Sequence, residues 1–280
     1  MAAWRTILIA CAASAGAVLC APASALGAHY YLALGDSLAQ GWEAPPTRPT
    51  SGYVDDLFAR RRARRHDLRL VNIACLGATS ATLQSGDLCT GPAGPQLSRA
   101  VRFLRAHRRA IDLVTIDIGG NDIGAACGTG TTITLPCVRS ALARTRTNVR
   151  AIAKALRAAA GPGTPIIAMN YYDPGLALWL QSGAMRALVP ETLQVVDLLN
   201  RTLAAAYAAG AIPVADVATA FATHDLTHTT TLPGAGRVPV AVANICRYTG
   251  NCQQPQNPHA TPAGYRVIAD AFMQTLRPAR

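Results

Sequence analysis

Charged side chains are scarce in this chain of 280 residues, making up 15% of it, whereas 50% of the residues are hydrophobic. Glycine (23) and proline (18) follow no period, and the sequence has neither an internal repeat nor a low-complexity tract. This composition excludes an intrinsically disordered chain, a collagen and a coiled coil. The length suffices for a large hydrophobic core, so we expect a globular protein that folds without a metal.

Two common functional motifs are also missing. The chain has no C-x-x-C pair and no histidine at ligand spacing from a cysteine, so a zinc site is not predicted. The nucleophile motif G-x-S-x-G of the α/β-hydrolase fold is not completed at residues 35–39, because Ala39 occupies the position of the second glycine. We therefore expect neither a metal nor a cofactor, and an architecture other than the α/β-hydrolase fold.

The first 28 residues differ from the rest of the chain. Arg5 is their only charged residue, an apolar run of about 15 residues extends from Ile7 to Ala21, and small residues follow at 23–25. This arrangement predicts a secretory signal peptide cleaved near residues 25–28, and hence a secreted protein whose residues 29–280 form one domain. A permanent membrane anchor is the alternative, but the run is shorter than the roughly 20 residues of a spanning helix.

The cysteine count supports export. Two of the eight cysteines precede the predicted cleavage site, and an even number of six in an exported chain indicates disulfides. The six fall into sequence-local pairs, and closing short loops costs the least chain entropy. Although six cysteines allow 15 connectivities, we predict three local bonds: Cys75 with Cys89, Cys127 with Cys137, and Cys246 with Cys252.

The formal net charge is +11, and arginine supplies almost all of the positive side chains. Two predicted surface helices carry the arginine clusters, at residues 60–65 and 99–109. No aromatic residues are interleaved with them for base stacking, so we expect no nucleic-acid partner. The clusters are interpreted as solvated surface, with peripheral contact to an anionic membrane or cell wall as the alternative. We expect a monomer.

Short apolar runs alternate with longer helical patterns, which indicates βαβ units and a mainly parallel sheet. Strands are predicted near residues 30–34, 69–74, 112–118, 164–170 and 212–215. Helices are predicted near residues 52–65, 95–109, 138–159 and 190–209, and a last helix begins at Thr261-Pro262. Residues 124–136 and 217–258 are predicted to be irregular, and such loops either line a substrate cleft or decorate the surface.

Four short blocks stand at the ends of predicted strands or just before the last helix. They are Gly35-Asp36-Ser37-Leu38, Leu76-Gly77-Ala78, Gly120-Asn121-Asp122 and Pro258-His259-Ala260. In this order they resemble the SGNH (GDSL-type) hydrolase family, whose four letters match Ser37, Gly77, Asn121 and His259. The resemblance covers nearly the whole mature chain. It implies a three-layer α/β/α sandwich with a mainly parallel, five-stranded, flavodoxin-like sheet, no metal, and hydrolysis of esters or thioesters through an acyl-enzyme.

The chemistry of these four positions explains the residue types. A serine hydroxyl becomes a nucleophile when a base takes its proton, and neutral histidine suits that task near pH 7. Ser37 is thus predicted as the nucleophile and His259 as its general base and acid. The backbone N–H groups of Ser37 and Gly77 and the amide of Asn121 would form the oxyanion hole. Taken singly, Gly77 and Asn121 have the composition of ordinary turns.

One position departs from the family pattern. An aspartate usually stands two or three residues before the histidine, where this chain has Asn257 and Gln256. A carbonyl oxygen near either residue can still accept the Nδ1 proton and fix the imidazole tautomer. We therefore predict a Ser-His dyad assisted by a neutral acceptor. Asp216 and Asp225 are the other acids considered, and neither matches the motif position.

The sequence thus predicts a secreted serine esterase or lipase that hydrolyses carboxylic esters. One alternative is an acyltransferase that passes the same acyl group to an alcohol. The other is a non-catalytic envelope-binding protein on the same scaffold, which the missing aspartate suggests. Four aromatic residues near the expected cleft are candidates for binding an acyl chain or a sugar ring, or for the core: Trp42, Tyr171, Tyr172 and Trp179.

Overall fold

A computed structural model of the chain describes residues 28–42, 52–128 and 133–276. Apart from residue 28, the predicted signal peptide lies outside these residues. Within the described ranges, no helix has the length and apolar character that crossing a membrane requires.

Five parallel strands form the central sheet in the order β2-β1-β3-β4-β5. Their bounds are β1 His29–Gly35, β2 Leu68–Asn72, β3 Ile111–Asp117, β4 Ile166–Met169 and β5 Val214–Ala215. β1 and β3 are buried over their last five residues because helices cover both faces of the sheet. The strand order reverses direction between β1 and β3, and open α/β sheets bind their ligands at such a point.

Helices complete a three-layer α/β/α arrangement, as predicted. The α-helices are α1 Ser37–Gln40, α2 Tyr53–Arg62, α3 Thr82–Ser85, α4 Gln96–Ala106, α5 Asp122–Cys127, α6 Leu135–Ala160, α7 Gly183–Arg186, α8 Val189–Tyr207, α9 Val217–Ala220, α10 Val240–Tyr248 and α11 Pro262–Thr275. Two 3₁₀ helices span Pro174–Leu180 and Ala208–Gly210. Helix α6 packs against α4 and α8, whereas α2 packs against α11. The last helix begins as predicted, with the Thr261 hydroxyl accepting a hydrogen bond from the Gly264 N–H and Pro262 in the first turn.

The segment from 217 to 258 is more regular than predicted. It contains α9, a hairpin of β6 Thr229–Leu232 with β7 Gly236–Pro239, α10, and β8 Thr249–Gly250. β8 pairs with β9 Asn257–Ala260, which carries His259. The prediction of an irregular segment is wrong here because tertiary packing decides: α10 has only nine residues, but most of its apolar residues are buried and it packs against α11. The other stretch predicted to be irregular, residues 124–136, begins inside α5, which ends at Cys127.

The three cysteine pairs at bonding distance are those predicted from the sequence. Their Cα–Cα separations are 5.7 Å for Cys75–Cys89, 5.9 Å for Cys127–Cys137 and 5.1 Å for Cys246–Cys252. The first bond fixes the segment after β2, and the third joins the end of α10 to the loop that leads to His259. Asp87 lies close to the first bond, but disulfide sulfurs offer no thiolate for a metal.

The junction of β1 and β3 leaves no room for a side chain at Gly35. Its φ is +141°, and an added Cβ would lie 1.9 Å from Asp117 Oδ1 and 2.4 Å from the Asp117 carbonyl oxygen. We predict that Gly35→Ala lowers the free energy of unfolding by at least about 2 kcal/mol, measured by urea denaturation. Gly163→Ala is the matched control, because its Cβ would meet no atom within 4 Å, and it should stay within about 1 kcal/mol. Equal losses in the two variants would contradict this account.

Candidate functional site

A cavity of about 200 Å³ opens at the carboxyl edge of the sheet. Ser37, Asn121 and His259 line it, so residues that follow β1 and β3 meet a residue of β9. These are three of the four positions that the sequence singles out. Gly77, the fourth, lies in the exposed turn after β2 and is not among the lining residues.

Ser37 is the first residue of α1, and its neighbours saturate the start of that helix. The Leu38 N–H donates to Asp36 Oδ1 over 2.9 Å, the Ala39 N–H to Asp117 Oδ2 over 3.0 Å, and the Gln40 N–H to the Asp36 carbonyl over 3.1 Å. The Ser37 N–H has no acceptor within the described part of the chain. Of the four N–H groups that open a helix, the one on the serine is left for a ligand.

Gly77 is explained by its backbone conformation. Its φ is +74°, in the left-handed region that favours glycine, and a Cβ there would meet no atom within 4 Å. The Cys75 N–H donates to the Gly35 carbonyl over 3.0 Å, which places this turn beside the turn of Ser37. The turn interpretation therefore accounts for the glycine by itself, and a role of its N–H as an oxyanion donor stays a prediction.

The Asn121 side chain connects two neighbouring strand ends. Its Nδ2 donates to the Ala78 carbonyl over 3.0 Å, next to Gly77. An amide nitrogen carries two hydrogens, so the second remains for the cavity. The adjacent Asp122 accepts from the Ser80 N–H over 2.8 Å and from the Thr145 hydroxyl over 3.0 Å. The segments after β2 and β3 thus hold each other in position.

His259 is oriented by the side chain of Asn257. The Asn257 Oδ1 atom lies 2.9 Å from the His259 backbone nitrogen and 2.6 Å from the ring Nδ1. The backbone N–H only donates, so the shared atom must be the amide oxygen, and Nδ1 must then carry a hydrogen. This leaves Nε2 as the basic nitrogen. Gln256, the other predicted acceptor, has an exposed side chain. Burial of the His259 ring lowers its pKa.

Several aromatic residues support the segment that bears His259. The Tyr172 hydroxyl donates to the Pro258 carbonyl over 2.6 Å, and the Trp42 ring lies 6.4 Å from the imidazole. Tyr171 and Tyr172 line the cavity but are largely buried. Trp179 instead packs under the guanidinium of Arg186, whose Cζ lies 4.9 Å from the centre of the Trp179 ring. The aromatic set that the sequence suggests for the cleft is therefore divided between support and surface packing.

The other candidate acids have structural roles. Asp216 caps α9 by accepting from the Thr219 N–H over 3.1 Å, and Asp225 accepts from the His228 N–H over 2.9 Å in an exposed loop.

A buried acid beneath Ser37 was not predicted from the sequence. Asp117 ends β3, is fully buried, and accepts a hydrogen bond from the Tyr53 hydroxyl over 2.9 Å. The Tyr171 hydroxyl donates to Asp36 over 2.9 Å. Burial raises the pKa of both carboxyl groups, and the neighbouring Asp36 raises that of Asp117 further. The signal that could have revealed Asp117 is its place as the last residue of β3, between the apolar residues Ile116 and Ile118.

Comparisons with known proteins agree with this architecture. The chain resembles phospholipase A1 from Streptomyces albidoflavus NA297, with a TM-score of 0.52 and 19% identity over 89% of this chain and 99% of that one. It also resembles the extracellular lipase from Streptomyces rimosus, with a TM-score of 0.50 and 21% identity over 88% and 99% of the two chains. No curated protein matches the sequence. Residues 33–267 match the GDSL-like Lipase/Acylhydrolase family, and the chain therefore belongs to that family.

Proposed function

We propose that this protein is a secreted serine esterase or lipase that hydrolyses carboxylic esters through a Ser-His acyl-enzyme mechanism. The observation that carries the proposal is that Ser37, Asn121 and His259 line the same cavity, with His259 oriented by Asn257. Both structural relatives described above are named as lipases or phospholipases, which supports an ester substrate. The disulfides and the predicted signal peptide support export to an oxidising compartment.

Acylation begins with proton transfer. His259 Nε2 takes the hydroxyl proton of Ser37 while Oγ attacks the ester carbonyl carbon, and the imidazolium then protonates the departing alcohol. The hydrogen bond from Nδ1–H to Asn257 keeps the ring in the required tautomer throughout. In the second half-reaction, His259 activates a water molecule that attacks the acyl-enzyme and releases the acid.

The tetrahedral intermediates place a negative charge on the former carbonyl oxygen. The Ser37 N–H and the second hydrogen of the Asn121 amide are positioned by contacts that precede substrate binding, so little reorganisation is needed. The Gly77 N–H is the third proposed donor. Loss of one such donor typically costs about 10² to 10³ in rate.

The volume of the cavity limits the size of the acyl group that it can hold. At about 200 Å³ it is smaller than typical pockets for drug-sized ligands, which begin near roughly 300 Å³. We expect short acyl groups to bind inside it and longer chains to extend over the protein surface. Hydrolysis rates across a series of esters from acetyl to palmitoyl would identify the preferred length.

The identity of the nucleophile gives the first test. We predict that a fluorophosphonate probe labels the wild-type protein, and that Ser37→Ala abolishes labelling and lowers ester hydrolysis by at least about 10⁴-fold. Ser140→Ala, which alters an exposed serine on α6, should behave as wild type. Absence of labelling in correctly folded wild type would favour the envelope-binding alternative. Transfer of the acyl group to added alcohols in preference to water would identify a transferase.

The orientation of His259 gives the second test. Because burial lowers the pKa of His259, the ring stays neutral and basic below its ordinary titration range. We predict that kcat/KM falls only below about pH 6.5, and that Asn257→Asp moves this acid limb upward by about one unit, since a carboxylate stabilises the imidazolium. Asn257→Ala removes the tautomer anchor and should lower kcat at least about tenfold.

The control for this test is Gln256→Glu. It adds a carboxylate at the residue before Asn257, on an exposed side chain, where solvent and salt screen its effect on His259. Its acid limb should therefore remain close to that of the wild type. If Gln256→Glu shifted the limb and Asn257→Asp did not, Asn257 would not be the acceptor that matters in solution.

A further inference from the structure

Two carboxyl groups lie buried beneath the first turn of α1. Asp36 follows β1 and is 3% exposed, and Asp117 ends β3 and is fully buried. The Asp36 N–H donates to the Asp117 carbonyl over 3.1 Å, and the two carboxyl groups accept the N–H groups of consecutive residues, Leu38 at Asp36 and Ala39 at Asp117, which brings them close together. Ionised carboxylates only accept hydrogen bonds. Two ionised carboxyl groups buried side by side would therefore repel each other with no hydrogen bond between them, whereas one shared proton supplies the missing donor.

The surrounding donors are arranged almost symmetrically. Asp36 accepts the Leu38 N–H and the Tyr171 hydroxyl, whereas Asp117 accepts the Ala39 N–H and the Tyr53 hydroxyl. One difference places the proton on Asp117. Asp36 is the N-cap of α1, where a negative charge is favoured by the adjoining N–H groups. The stronger upward shift in the pKa of Asp117 agrees with this assignment.

We propose that Asp117 is a positioning residue for the nucleophile, carrying the shared proton and holding the first turn of α1 between itself and Asp36. Its O–H donates to the Asp36 carboxylate, while its second oxygen accepts the Ala39 N–H. Since these contacts occupy the N–H groups after Ser37, the Ser37 N–H remains for the oxyanion. This role in catalysis rests on the proposed function, whereas the shared proton itself does not.

The titratable groups that face the pair come from several elements. Five tyrosines interact electrostatically with the pair: Tyr31 on β1, Tyr53 on α2, Tyr171 and Tyr172 after β4, and Tyr207 on α8. The Asp122 carboxylate on α5 does so as well. Burial raises the pKa of each of these tyrosines, so they stay neutral while the pair titrates. Loss of the proton at alkaline pH would leave two adjacent buried carboxylates, which repel each other.

Matched asparagine substitutions test the assignment. In Asp117→Asn the amide N–H replaces the carboxylic O–H as donor to Asp36, and the amide oxygen still accepts the Ala39 N–H. The Tyr53 hydroxyl, which donates to the replaced oxygen in the wild type, turns to accept the second amide N–H. We expect this variant to retain kcat within about threefold and to keep activity further into alkaline pH than the wild type. Asp36→Asn puts a donor where only acceptors fit, and we expect kcat to fall at least about tenfold with KM little changed. The reverse ranking would overturn the assignment.

Two measurements on the protein without substrate test the proton directly. The infrared band of a protonated carboxyl group should be present in the wild type at pH 7 and lost in Asp117→Asn. In addition, the native wild type holds a proton that the unfolded chain releases above about pH 4, so its stability falls as pH rises. Relative to Asp117→Asn, the unfolding equilibrium constant of the wild type should increase about tenfold per pH unit above that value.

Other shifted groups do not confuse this comparison. Burial raises the pKa of Asp173 to about 6 and lowers that of His259, but both residues are present in the two proteins and their effects cancel in the difference. Asp270→Asn, at an exposed carboxylate paired with Arg60, is the control and should retain the wild-type band and slope. A wild type with no protonated-carboxyl band and no excess slope would overturn the proposal, even if the enzyme hydrolyses esters. Conversely, a band and slope in an inactive protein would contradict only the proposed function.

Discussion

The close approach of β1 and β3 at their carboxyl ends is the constraint on which the site depends. Gly35 allows the Asp117 carboxyl group to lie against its backbone, and the Asp36 N–H continues the pairing to the Asp117 carbonyl. The chain then turns directly into α1, with Ser37 as its first residue. Asn121 follows the same strand β3. The proposed nucleophile and the proposed amide donor are thus held by adjacent strands of the sheet and not by long loops, which favours precise geometry.

The parts of the fold that follow from local patterns are the parts that the sequence predicts. The five strands lie in stretches rich in apolar residues, and α11 begins with a threonine cap and a proline whose roles depend only on neighbouring residues. Helix α10 was missed because it has only nine residues and its stability comes from packing on α11. The hairpin of β6 and β7 lies in the same segment and was missed with it.

Long-range contacts limited the prediction of the site in the same way. The order of the four blocks identifies Ser37, Asn121 and His259 as candidates, and the cavity contains all three. The Asp117 carboxyl group has no such signature, since its partners Tyr53 and Asp36 lie 64 and 81 positions away and meet it only in the folded sheet. Gly77 shows the opposite limit. Its residue type is visible in the sequence, yet a turn requires it as much as catalysis would.

The electrostatics of the cavity connect the neutral acceptor to the carboxyl pair. Among the residues that line the cavity in the described structure, Asp36 carries the one carboxyl group. If Asp117 keeps its proton, the pair contributes a single negative charge near the carbonyl that reacts. A carboxylate at position 257 would add a second, stabilising the imidazolium but opposing the oxyanion. Asn257 fixes the tautomer without that charge, and burial of His259 acts in the same direction by keeping the ring neutral. In the proposed mechanism, oriented dipoles therefore stabilise the charge that develops during the reaction.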